Sequence, residues 1–153
     1  MRSDEFPDYV AYFVPDYAME ISSNYDMNIE TARARAEREV EEVLGKGVDT
    51  PDQVLLCAVA EGGEDNTPVG YFWCQPNKTS QSMFISDFCI LPPHRGRGYG
   101  KSALVALEEK FAEMGYSEIR LRVAADNKRA ERLYLLAGFI PTGTNMRKTI
   151  GNS

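Results

Sequence analysis

One turn constrains this chain more than any other feature. Residues 90–102 read ILPPHRGRGYGKS, a β-like run that ends in glycines set between two arginines and a lysine. Gly96, Gly98 and Gly100 strip side chains from the backbone, so N–H groups at a helix start can face an anion, while Arg95, Arg97 and Lys101 supply charge. Such a turn binds phosphate. Two common phosphate loops fail on spacing. The pattern G-x-x-x-x-G-K-[ST] fits Gly100, Lys101 and Ser102 at its end but requires glycine where Arg95 stands. A dinucleotide fingerprint starting at Gly96 requires glycine at the position of Lys101.

The flanking residues supply context. Upstream, MFISDFCIL is an apolar, β-rich run; downstream, Leu104, Leu107, Phe111 and Met114 form one helical stripe over residues 101–114, closed by Gly115. The pattern predicts strand, anion loop, helix. Next, EIRLRVAA (residues 118–125) alternates Ile119, Leu121, Val123 and Ala125 with polar positions, which predicts a strand with one buried face. Asp126 and Asn127 then form a natural helix cap, followed by Ala130, Leu133, Tyr134 and Ala137 at helical spacing and a stop at Gly138.

The register Arg95-x-x-Gly98-x-Gly100 resembles the pyrophosphate loop of the GCN5-related N-acetyltransferases, the GNAT family, which binds acetyl-CoA. The run NKRAERLYLLAGF resembles that family's second signature, N-x-x-A-x-x-[LF]-Y-x-x-x-G-[FAY], with Asn127, Ala130, Leu133, Tyr134, Gly138 and Phe139 at the fixed positions. Two motifs in the family's order and separation are far more specific than either alone. The resemblance implies an α/β (α+β) fold: a single domain over residues 1–153, its motif core at about 83–139, with a mixed, mostly antiparallel, twisted sheet flanked by helices. It also implies acetyl-CoA as co-substrate, with no metal. The loop of Arg95, Gly96, Arg97, Gly98, Tyr99, Gly100 and Lys101 would take the pyrophosphate. Phe88, Cys89 and Ile90, on a strand that splays from its neighbour, would lie along the pantetheine arm, which Asn127 would hydrogen-bond. Tyr134 would sit beside the thioester sulfur as general acid.

Transfer of an acyl group to an amine needs a deprotonated nitrogen, a polarised carbonyl and a proton for the departing thiolate. An alkyl amine with a pKa near 10.4 is neutral in only about one molecule per thousand at pH 7, so something must take its proton. Asp87 is the only carboxylate on the motif strand. In a regular strand Phe84, Ser86 and Phe88 share one face and Asp87 points to the other, so Asp87 reaches the acceptor only if a bulge re-aims it. Otherwise Asp87 is structural and ordered water carries the proton away. Arg122 stands where some protein N-terminal acetyltransferases of the family have glutamate, which counts against that subfamily. Tyr134 also suits a packed core, and Asn127 a plain helix cap.

The net charge of −6 disfavours nucleic-acid binding and mildly favours a cationic acceptor. The expected partner is a small-molecule amine, with no nucleic acid and no membrane; a homodimer is left open because dimers are common among similar proteins. A non-catalytic acyl-CoA-binding module and a protein lysine or N-terminal acetyltransferase remain as alternatives. The opening MRSDEFPDY is too acidic and polar for a signal peptide and no apolar run has membrane-spanning length, so the cytoplasm is the default location. Cys57, Cys74 and Cys89 contain no C-x-x-C pair and are expected as free, buried thiols; His94, the only histidine, argues against a histidine-based zinc centre.

The front half predicts two helical pieces, the first broken or kinked at Pro15 and the second capped by Asn28, then strands VLLCAVA and VGYFWC around the turn-rich EGGEDNTP. Trp73 reads as packed within its strand. Asp16, Glu20, Tyr17 and Tyr25 either wall a cationic acceptor site or form a solvated helix face.

Overall fold

The computed structural model describes residues 1–62 and 66–151; residues 63–65, within the expected turn-rich loop, lie outside the described residues. Apolar residues at helical steps make the first two elements. Helix α1 (Phe6–Tyr25) buries Tyr9, Phe13, Val14, Ala18 and Ile21, and α2 (Ile29–Val43) buries Ala32, Ala36 and Val40. Small residues four apart on α2 let the two helices approach closely. The Asn28 side chain starts α2 by accepting the Thr31 N–H at 2.8 Å. Helix α1 runs through Pro15 without a break, so of the expected break or kink the break does not occur. Proline removes one bond to the carbonyl four residues back, that of Ala11; both residues are exposed, so water can take up the freed carbonyl.

Four strands follow in a sheet of order β1-β2-β3-β4: β1 (Val54–Val59), β2 (Pro68–Asn77), β3 (Ser82–Ile90) and β4 (Glu118–Leu121). The first two pairings are antiparallel and β3–β4 is parallel, which is the mixed, mostly antiparallel sheet expected. Leu55, Tyr71, Trp73 and Cys89 pack into one core with α1 and α2. The indole N–H of Trp73 is satisfied by Gln53 at 2.6 Å and its ring meets Phe13 edge-on, so Trp73 belongs to that core. Helix α3 (Tyr99–Glu113) packs against β3 and buries Leu104, Leu107 and Phe111, which form no part of the first cluster and close the opposite face.

One irregularity organises the sheet. Trp73 pairs with Asp87 and Cys74 with Ile85, which leaves Ser86 as an extra residue in β3. This is a β-bulge, and it shifts the alternation of β3 by one. Before it, the odd residues Met83 and Ile85 share a face with Pro76 and Cys74; after it, the odd residues Asp87 and Cys89 share the helix-covered face with Trp73 and Tyr71. The pairing with β4 stops at the same point, Ile85 with Leu121. The expected strand over 118–125 is therefore cut to four residues, because its neighbour bends away.

The chain divides into two compact units. Met1–Arg122 contains all four strands and the first three helices, and Val123–Ser153 contains α4 (Lys128–Leu136).

Gly70 tests how tightly β2 and β3 are joined. A Cβ at this position would lie 2.2 Å from the Cys89 carbonyl oxygen, a backbone atom with no freedom to swing aside. Gly70→Ala is expected to destabilise the protein by about 1–3 kcal/mol, read as a lower midpoint in denaturant.

Candidate active site

The phosphate-loop residues adopt the geometry their sequence demands. After β3 the chain makes a short 3₁₀ turn at Pro92–His94, and Gly96 and Gly98 then take φ of 78° and 81°, a left-handed conformation that disfavours any side chain. Gly98 is the N-cap of α3, which begins two residues earlier than expected and brings Gly100 and Lys101 into its first turn. The first bond from the loop into the helix is Ser102 N–H to the Gly98 carbonyl, at 3.2 Å. The N–H groups of Tyr99, Gly100 and Lys101 precede that bond and have no helical acceptor. Nothing lies within 4 Å of where a Cβ would stand on Gly96 or Gly98. Open space, bare donors, the positive end of a helix dipole and the exposed Arg97 and Lys101 together suit a diphosphate.

Arg95 is held differently. Its Nε–H donates to the Ile90 carbonyl at 2.8 Å and its terminal nitrogen to the Tyr12 hydroxyl at 3.3 Å, tying the loop to both the end of β3 and α1.

The bulge puts Asp87 on the α1 side. The Tyr9 hydroxyl donates to Asp87 Oδ2 at 2.8 Å. Burial pushes the carboxyl up to about 6 from an ordinary 3.8; the Tyr9 bond and the Phe88 N–H oppose this, while the negative charges of Asp16 and Glu20 add to it. The direction of the balance decides the chemistry, since loss of water outweighs the hydrogen bonds and leaves a carboxylate more basic than a surface one. Burial also raises the Asp16 carboxyl, with Arg95 opposing.

The neighbouring residues of β3 alternate between the two faces of the sheet. Phe88 stacks on Phe72 with ring centres 4.2 Å apart and planes within 3°. Cys89 is buried, and burial pushes its thiol and that of Cys74 up to about 12; the half-buried Cys57 is pushed up to about 11. All three thiols are free, as expected. Among the described residues, 86–90 pair with β2 on one side and with no strand on the β4 side; the Ile90 carbonyl accepts from Arg95 and the Phe88 N–H bonds to Asp87.

In the second unit, the Asn127 side chain accepts the Ala130 N–H at 3.2 Å and caps α4. Tyr134 is half-buried, with its ring 5.6 Å from that of Phe139 at 67°, and its carbonyl accepts the Phe139 N–H at 3.0 Å. Asn127 is thus the helix cap anticipated as one of its two readings.

Comparison with known proteins gives these features a family. The model of the acetyltransferase (GNAT) family matches residues 21–139. The chain belongs to the GNAT family. It is 32% identical over 152 residues to YycN, an N-acetyltransferase of Bacillus subtilis described as uncharacterised, covering 98% of this chain and 96% of the relative. The crystal structure of YycN superposes with a TM-score of 0.88, over 99% of this chain and 96% of that one. The thialysine N-epsilon-acetyltransferase of Bos taurus is 32% identical over 91 residues, 54% of each chain. The spermidine N-acetyltransferase of Vibrio cholerae, solved with CoA and spermine, shares the fold at a TM-score of 0.68 and 19% identity, over 99% of this chain and 85% of that one. The protein is accordingly an acyltransferase of this family, which uses acetyl-CoA. Among its described residues no helix is long and apolar enough to cross a membrane.

Tyr9 carries no motif and was not among the residues singled out from the sequence. Positions 9, 12, 16 and 20 recur at helical steps, so a stripe of hydroxyls and carboxylates was visible; the strand it faces was not.

A stability measurement checks the placement of Asp87. With its folded value raised, the carboxylate costs nothing below pH 3.8, where it is protonated folded or unfolded, and its full cost is felt above about 6. Asp87→Asn keeps an oxygen for Tyr9 and avoids that cost. Its melting temperature is expected to match wild type near pH 3.5 and to exceed it by a few degrees at pH 7.5, checked by thermal denaturation across that range.

Proposed function

We propose that this GNAT enzyme transfers the acetyl group of acetyl-CoA to a primary amine of a small cationic molecule, by direct attack in a ternary complex. The observation that carries the reading is the Ser86 bulge, which turns Asp87 toward α1 with Asp16 and Glu20 acting on it. Three carboxylates suit an ammonium-bearing acceptor. The thialysine acetyltransferase among the relatives supports an amine as the acceptor class.

In this reading the free N–H groups of residues 98–101, with Arg97 and Lys101, hold the diphosphate. Phe88, Cys89 and Ile90, unpaired by any strand on the β4 side, are the residues that the family resemblance assigns to the pantetheine arm, and Asn127 is the one it assigns as a hydrogen-bond partner of that arm. Arg95, already bonded to Ile90 and Tyr12, keeps the loop in register with the strand. The molecule bound there supplies an activated acyl carbon and a sulfur leaving group.

Asp87 takes one proton from the acceptor's ammonium, which frees the nitrogen lone pair to form the C–N bond. Tyr134 gives its hydroxyl proton to the sulfur as the C–S bond breaks; a second nitrogen proton leaves, the amide keeps the third, and exchange with solvent then restores the proton to Tyr134 and removes the one on Asp87. A carboxylate at about 6 is a better base than one at 3.8, closing about a third of the gap to an alkylammonium near 10.4. A phenol near 10 can protonate a thiolate near 8.5 only with help from geometry and charge, which is why Tyr134 has to be tested directly.

Coenzyme A release measured with a panel of diamines, polyamines, amino acids and peptides tests the function, and turnover is expected to be highest with small amines of more than one positive charge. Absence of turnover with every amine would overturn the reading. Tyr134→Phe is expected to lower kcat by about 10²-fold or more with little change in coenzyme A affinity. Wild-type kcat/KM is expected to fall as pH drops through about 6, where Asp87 becomes protonated, and Asp87→Asn to be slow and to lack that limb. Gly98→Ala, forced to hold a side chain at φ 81°, is expected to weaken coenzyme A binding by calorimetry about tenfold.

A further inference from the structure

We infer that Tyr9 is the positioning residue for Asp87: from the inner face of α1 its hydroxyl both aims the carboxylate and keeps it ionised for use as a base. For its kinetic consequence, this inference rests on the reading of Asp87 given above.

Tyr9 is wholly buried. Its ring is fixed between Phe13, at 5.7 Å, and Tyr71, which meets it edge-on at 5.2 Å. A phenol has one O–H to give, and a ring held on two sides leaves it little choice of direction. It goes to Asp87 Oδ2 at 2.8 Å, across 78 positions of sequence. Such a bond to an ionised acceptor is of the stronger kind.

The surroundings of Asp87 make that bond decisive. The side chains that act on it are Tyr9, Asp16 and Glu20 from α1; its charge in turn acts on the buried thiols of Cys89, on the same face of β3, and of Cys74, on the opposite face of the sheet. None of them is a cation. Burial and the two neighbouring carboxylates all favour the protonated acid, and only neutral donors, the Tyr9 O–H and the Phe88 N–H, favour the charged form. Tyr9 is the larger of the two. Burial and Asp87 itself hold Tyr9 far above the ordinary tyrosine range, and the two thiols are pushed up to about 12, so neither the donor nor the thiols change state where the enzyme works. Tyr9 is a constant donor. Without it, Asp87 would be protonated over part of the neutral range and would lose the fixed direction its acceptor lone pairs need.

A tyrosine that merely filled the core would behave differently on replacement. Tyr9→Phe keeps the ring and removes only the donor, so a packing role predicts altered stability with an unmoved titration of Asp87. A positioning role predicts that the Asp87 midpoint, followed by NMR through its carboxyl carbon and assigned with Asp87→Asn, rises by about one to two units. The acid limb of kcat should rise with it, so that activity near pH 6.5 falls several-fold while activity at pH 9 is largely kept. Asp16→Asn should move the midpoint the opposite way, since it removes a like charge.

A folded Tyr9→Phe protein with the wild-type Asp87 midpoint overturns the inference. A midpoint that rises while the acid limb stays in place supports the contact and instead overturns Asp87 as base. Should Tyr9→Phe fail to fold, the hydroxyl proton of Tyr9 in the wild-type protein decides. A downfield resonance whose shift follows the Asp87 titration supports the inference, and one independent of pH overturns it.

Discussion

The extra residue at Ser86 is the constraint on which the rest of this architecture depends. A bulge changes two things at once: it inverts the alternation of its strand and bends the strand away from a neighbour. Here the inversion sends Asp87 and Cys89 to the face covered by α1 and α2, and the bend ends the parallel pairing with β4 at Ile85. An ungapped β3 would pair further with β4, place Asp87 on the α3 side and leave the Tyr9 hydroxyl facing an apolar strand. One inserted position thus creates an acidic centre and ends strand pairing along that edge. The parallel crossover through α3 starts from that same strand, which fixes the glycine loop at its far end.

The electrostatics of the α1 face run against stability. Asp16 and Glu20 act on Asp87 with like charge, and burial compounds the cost there. The charge of Arg95 offsets part of the cost at Asp16, and Tyr9 and the Phe88 N–H oppose it at Asp87. Clusters held in this state are more common at working sites than in scaffolds, where evolution removes them without loss. The buried side-chain nitrogen and oxygen atoms are nonetheless all hydrogen-bonded among the described residues, so the strain is one of charge and not of missing side-chain hydrogen bonds.

Much of this was legible in the residues because local physics wrote it there. The Leu104, Leu107 and Phe111 stripe of α3 and the Asn28 and Asn127 caps each depend on a few adjacent positions and were read correctly, whereas Met114, expected to continue that stripe, is exposed because the helix ends at Glu113. The sheet's mixed character followed from a family resemblance carried by two motifs. Three features escaped. Pro15 leaves α1 uninterrupted because it and the Ala11 carbonyl it deprives are both exposed, and exposure is a property of packing. The strand over 118–125 stops early because its partner turns away, which no alternation within the strand reveals. The bulge could be named as the condition for Asp87 to work, but register between strands is set by long-range pairing, and so was the contact from Tyr9.

The protonated thiols carry a consequence for the durability of the enzyme. A protein that handles thioesters and contains cysteines risks transthioesterification, in which a thiolate captures the acyl group and the catalyst modifies itself. Values of about 11 to 12 leave only about one thiolate in ten thousand to a hundred thousand at neutral pH. The cysteines of β1, β2 and β3 therefore serve as small apolar spacers, inert toward the very bond the enzyme exists to break.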